Sequence, residues 1–134
     1  YSKSLNLDII LSGGKAIDYM ACQLYDCISK AISNNARIRV ISTKTELASR
    51  TQKRLQNLAL NPNFKIKLVD SVFDFCLAIV NKKEVNISIS EKGIPSLWTN
   101  NCQVVSMSQL LFENQWNTYF QKSQQTNCLT AVEI

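Results

Sequence analysis

Apolar and polar positions change period several times along this chain, and each change marks an element. The densest apolar run, Phe75 to Val80 within SVFDFCLAIVNKKEVNISIS, predicts a strand covered on both faces of a sheet. Asn81-Lys82-Lys83-Glu84 is polar and short enough to reverse the chain. From Val85 to Ser90 the pattern alternates, with Val85, Ile87 and Ile89 on one side and Asn86, Ser88 and Ser90 on the other. Residues 71–90 therefore predict a β-hairpin near the centre of a sheet.

The flanking segments supply the other elements. Leu5 to Leu11 reads as a first strand that runs through Ser12-Gly13-Gly14-Lys15 into a helix from Ala16 to about Ile32. Along that helix Ile17, Met20, Ala21, Leu24, Cys27, Ile28 and Ala31 recur at helical spacing, and Asn34-Asn35 closes it. Asp18 and Lys30 suit the dipole at its two ends. Arg37 to Ile41 is a second strand, and the strand-helix-strand order implies a right-handed crossover in a parallel sheet. Thr43 or Thr45 caps a second helix carrying Leu47, Arg50, Arg54, Leu55 and Leu58, which Asn61-Pro62-Asn63 ends. Phe64 to Leu68 alternates as an edge strand with one wet face.

Beyond the hairpin, residues 91–95 form a loop and Ser96 to Asn101 is extended or a short strand. Asn101 or Ser106 caps a last helix over Met107 to Phe120. Its Met107, Leu110, Leu111, Phe112, Trp116, Tyr119 and Phe120 make a broad apolar face that packs on the sheet. After Gln121 the pattern is lost, so 1–121 is read as one domain and 122–134 as a tail or linker. The fold class is α/β, with a mixed, mostly parallel sheet flanked by helices.

Composition narrows the picture. The 134 residues are 46% hydrophobic and 19% charged, enough for one packed core. No apolar run approaches the roughly 20 residues a bilayer span needs. The chain starts at Tyr1 without a signal-peptide pattern and reads as a piece of a longer polypeptide. The net charge of +5 invites a nucleic-acid reading. Its carriers, Arg37, Arg39, Lys44, Arg50, Lys53, Arg54, Lys65 and Lys67, are spread and lack interleaved aromatics, which predicts a solvated basic face instead. Five scattered cysteines without a Cys-x-x-Cys pair, and no histidine, exclude the usual zinc spacings and speak against a disulfide framework. A reducing, cytoplasmic setting follows, and Asn86-Ile87-Ser88 is a chance glycosylation match.

No motif carries catalysis. A nucleophile needs a base beside it, and neither a histidine nor a lysine or carboxylate at suitable spacing is present. Ser12-Gly13-Gly14-Lys15 leads into a helix N-terminus and can hold an anion, although adjacent glycines lack P-loop spacing and equally serve a turn. Trp98 and Trp116 can stack on a ligand or sit in the core. Asn81, Asn86, Ser88, Thr99 and Asn100 line a polar pocket near the strand ends, or are ordinary turn polarity. No cofactor and no metal ligand set is indicated.

FDFCLAIVNKKEVNISISEKG, followed by PSLWTNN and a helix holding LLFENQW, resembles the phospholipase-D-like regulatory domain of archaeal TrmB-type transcriptional regulators. In element order the resemblance spans Leu5 to Phe120. The active phospholipase D pattern, His-x-Lys-x-x-x-x-Asp, falls on Asp74, Cys76 and Asn81, and all three depart from it. The resemblance implies a fold whose catalytic centre is erased, leaving a groove for a small-molecule effector. Residues expected to line it are Ser12, Gly13, Gly14, Lys15, Asp74, Cys76, Asn81, Trp98 and Asn100. It also implies a homodimer, with DNA contacted by another domain of the parent chain and no membrane association. An input domain of an archaeal sensor histidine kinase is the alternative that the same resemblance leaves open, and a residual phosphodiesterase is a third.

Overall fold

Alternation along the strands becomes pairing in a single sheet. β1 (Asn6–Leu11), β2 (Arg37–Thr43) and β3 (Phe64–Val69) run parallel, and β4 (Cys76–Val80), β5 (Glu84–Ser88) and β6 (Leu97–Thr99) add on by antiparallel steps. The order is β3-β2-β1-β4-β5-β6, so the sheet is mixed and β3 is an edge, as its pattern predicts. The computed structural model describes residues 5–88 and 96–126, with the helix backbone alone from 118 onward. The predicted loop 91–95, Ile89 and Ser90, the side chains of Tyr119 and Phe120, and residues 127–134 lie outside the described residues.

Two layers cover the sheet. Helices α1 (Gly14–Asp18), α2 (Tyr25–Ser33) and α3 (Ser49–Ala59) lie on one face, as successive right-handed crossovers in one direction require. There Ile17, Met20, Ala21, Ile32, Leu55 and Leu58 pack on Ile38, Val40, Phe64 and Ile66. On the other face α4 (Cys102–Thr126) sets Val105, Phe112 and Trp116 over Ile10, Ile41, Val69, Leu77, Ile79 and Val85. Asn101 caps α4, its Oδ1 accepting from the N–H of Gln103 at 3.0 Å and of Val104 at 3.2 Å. No helix among the described residues is long and apolar enough to cross a membrane.

Five sequence expectations change. The first helix is not continuous: a π-helical turn over Tyr19–Gln23 closes with the Leu24 N–H reaching the Tyr19 carbonyl, and inserts one residue into the repeat. Periodicity therefore slips, so Leu24 and Cys27 face solvent while Tyr25 and Ile28 pack against the core. Neither Thr43 nor Thr45 caps α3, whose N-cap is Ala48; Thr43 instead ends β2. β4 is fully buried on one face only, at Leu77 and Ile79, because α1–α3 lie over β1–β3. The outward residues Met107 and Leu110 of α4 are exposed, since burial follows Val105, Ser108, Phe112 and Trp116. α4 also runs on past Gln121 to Thr126.

The β4–β5 turn holds two residues in succession at positive φ, Asn81 at 53° and Lys82 at 59°. This handedness matches the twist of a tight hairpin, and Asn tolerates it better than Lys does. Replacing Lys82 by Gly is expected to raise stability by about 0.5–1 kcal/mol in urea unfolding, the relieved strain exceeding the added chain entropy.

Candidate functional site

The register brings three strand ends to one edge. Ile10 lies opposite Leu77 and Cys76 opposite Ser88, so the end of β1, the start of β4 and the end of β5 sit together. From here β1 leaves toward β2 on one face, while the chain from β3 returns to enter β4. Open α/β sheets bind ligands where connections diverge in this way. A cleft of about 730 Å³ opens at this point, of the size that accepts small molecules.

Six of the nine expected residues line that cleft: Ser12, Gly13, Gly14, Lys15, Asp74 and Cys76. Ser12 Oγ lies 3.4 Å from Cys76 Sγ, which ties the end of β1 to the start of β4. Gly13 adopts φ 157° and ψ −160°, a conformation that few other residues take. Gly14 lies over the side chain of Thr45. The opposite wall is apolar, with Phe73 and Phe75 edge to face at 5.9 Å. Thr43 positions that wall: its hydroxyl donates to the Ser71 carbonyl at 3.0 Å and accepts from the Phe73 N–H at 3.4 Å. With Tyr19 and Ser88 also at the rim, the cleft offers hydroxyls, one cation, one carboxylate and an aromatic wall. Such a set suits a small polar molecule with an apolar side.

Three expected residues are elsewhere. Asn81 is a structural clip at the opposite end of β4, roughly 16 Å from Cys76 at strand spacing. Its Oδ1 accepts from the Asn6 N–H at 2.8 Å, and its own N–H donates to the Asn6 carbonyl at 2.8 Å. Of the positions on which the phospholipase D pattern falls, Asp74 and Cys76 thus share the cleft and Asn81 does not. Trp98, on β6, is about half exposed and donates its indole N–H to Glu84 at 3.0 Å. Asn100 borders a separate depression with Lys82, Lys83 and Glu84. Trp116 is core.

A charged network missing from the sequence expectations lies under α4. Arg39 Nε donates to Asp8 at 2.8 Å, and its two terminal nitrogens donate to both Glu113 oxygens, at 3.2 and 2.6 Å. The guanidinium rests on Phe112 and Trp116, 4.8 and 5.3 Å from their centroids. Gln109 Nε2 bridges Asp8 and Glu113 at 2.8 and 3.1 Å. Lys67 Nζ donates to the Trp116 carbonyl at 3.3 Å and lies 4.2 Å from its ring centroid. Burial works against the Arg39 charge, but its hydrogen bonds to Glu113 and Asp8 outweigh that and hold the proton more firmly than usual. Arg39 holds the Glu113 carboxyl below its ordinary range. Burial, with Lys65 and Arg39 close by, pulls Lys67 down to about 8. Arg39 and Lys67 are therefore not part of a solvated basic face. Their signal was the alternation R-I-R and K-I-K, which sets charges against the apolar side of each strand.

No protein-family model and no curated protein sequence matches the chain. Among solved structures it is similar in fold to TrmBL2, an archaeal chromatin protein described as showing a novel mode of DNA binding, at a TM-score of 0.62 and 19% identity. The match covers 84% of this chain and 44% of that one, so the chain spans less than half of the protein it resembles.

The network predicts a stability that rises with pH in two separate windows, one acid and one alkaline. Glu113 is depressed from an ordinary value of 4.5, so its contribution is present above that value and is lost as pH falls below it. Lys67 is depressed to about 8 from 10.5, so over that window the unfolded chain holds more protons and stability rises with pH. Urea midpoints measured across both windows should show the acid loss flattened in Glu113→Gln and the alkaline gain flattened in Lys67→Met.

Proposed function

We propose that this chain is a non-catalytic domain that senses a small molecule and dimerises within an archaeal transcriptional regulator of the TrmB type. Another part of the parent protein contacts the DNA. The observation that carries this reading is the cleft at the divergence of β1 and β4, where six of the nine expected residues converge. The likeness to TrmBL2 supports the regulator context. The sequence contains no histidine to serve as nucleophile or base, which supports binding rather than turnover at the cleft.

Dimerisation draws support from a different surface. Val104, Met107, Leu110 and Leu111 on the outer side of α4 are exposed, as are Leu97 and Trp98 on the edge strand β6. An apolar stripe beside an open strand edge suits a second copy of the chain related by a two-fold axis.

Thermal unfolding against a panel of sugars, nucleosides and amino acids should show stabilisation by one class, and Ser88→Trp, which fills the cleft, should remove it. A chromogenic phosphodiester should be hydrolysed no faster than in buffer. Turnover abolished by Cys76→Ala would overturn the reading. Gel shift of duplex DNA at moderate salt should show no complex with this domain.

A further inference from the structure

Among the described residues, the amino-terminal edge of the sheet has a surplus of positive charge that its ion pairs do not answer. Pairing sets Asp8 beside Arg39 and Arg39 beside Lys65 on the face under α4, and Arg37 stands two residues before Arg39 on the same face. Like charges directly opposite on a sheet are destabilising, so such a cluster needs counter-charges. Two carboxylates stand there, Asp8 and Glu113, and both are engaged by Arg39. Among the described residues Arg37, Lys65 and Lys82 form no ion pair. All three are exposed and border one polar cleft of about 600 Å³ that reaches down to Arg39.

The β4–β5 turn matters here, because it carries Lys82 over from the other half of the sheet. The Lys82 charge is felt by Glu113, and the charges of Lys65 and Arg39 by Lys67, so the cluster acts as one positive field. Cations from two strands and a turn converge on a concavity, with an arginine fork at the floor. That arrangement suits several linked anionic groups better than a single carboxylate, since each cation can take its own charge-assisted hydrogen bond.

We propose that this second cleft is a binding site for an oligophosphate, either a free phosphate chain or the phosphates of a nucleotide, held by Arg37, Lys65 and Lys82 around Arg39. The ligand shares the Arg39 guanidinium with Glu113. Because Arg39 stacks on Trp116, occupancy alters the surroundings of that indole and loosens the link between α4 and the sheet. The site lies at the opposite edge from the effector cleft and stands or falls independently of it.

The test is fluorescence titration of the Trp98→Phe chain, in which Trp116 is the remaining tryptophan, with sodium tripolyphosphate and separately with ADP. A saturable Trp116 response to tripolyphosphate is expected, weakening steeply with salt. The exposed double variant Arg37→Gln/Lys65→Gln should weaken it about ten- to a hundredfold, the equivalent of one or two charge-assisted hydrogen bonds. Lys83→Gln, outside the cleft, and Ser88→Phe, in the other cleft, should leave it unchanged, with circular dichroism reporting that each variant is folded. Equal affinity for ADP and tripolyphosphate identifies the phosphate chain as what is read; tighter ADP binding identifies a nucleotide. No saturation by either ligand at millimolar concentration would overturn the proposal. So would binding that the double variant leaves intact, or duplex DNA that binds through Arg37 and Lys65 and is not displaced by tripolyphosphate.

Discussion

One guanidinium holds the second layer of this molecule against the first. Arg39 reaches from the middle of the sheet to Asp8 beside it and to Glu113 above it, with its flat face on Phe112 and Trp116. Each ion pair taken alone is modest, because the Arg39 side chain keeps about a quarter of its surface, 27%, in water. The geometry makes it more than a surface pair: the fork meets Glu113 through both oxygens, and the stacking excludes water from one side. Removing the guanidinium would leave Asp8, which is buried, without its cation. The polar half of this sheet face can be covered by a helix because that charge is answered from above and below.

The same sheet thus presents two unlike edges. At the carboxyl ends of the parallel strands, the chain must turn tightly into α1 and return from β3, which leaves hydroxyls, a glycine turn and an aromatic wall around a cleft. At the amino ends, strands β2 and β3 begin with alternating Arg and Lys, and the hairpin turn adds Lys82. Hydrogen-bonding groups with an apolar wall suit a compact polar molecule, whereas closely set cations suit multiple negative charge. α4 meets the second edge through Glu113 and continues to Thr126.

Local slips account for most differences between pattern and structure. An α-helical repeat assumes a constant 3.6 residues per turn, and the π-helical turn at Tyr19–Gln23 adds a residue without any distinct composition. A constant repeat therefore places Leu24 inward, whereas it points out. On α4, the apolar residues exceed what one sheet face can cover, so Phe112 and Trp116 are buried and Met107 and Leu110 are left exposed. Periodicity ranks residues as apolar but does not say which of two apolar stripes meets the core.

The order of elements, the central hairpin, the edge position of β3 and the glycine turn after β1 were all readable from the sequence, and the cap of α4 was narrowed to Asn101 or Ser106, because each rests on neighbours close along the chain. The cleft where β1 ends and β4 begins was partly readable: Ser12 to Lys15 flank a strand end, as Asp74 and Cys76 do, and strand ends gather at sheet edges. Asn81, Trp98 and Asn100 were misplaced because which end of a strand meets which depends on its direction in the sheet. Alternation set Arg39 opposite the apolar side of β2, but its pairing with Asp8 and Glu113 was decided by tertiary structure. It joins residues 31 and 74 positions apart through a parallel register and a helix crossing, and neither leaves a mark in local spacing.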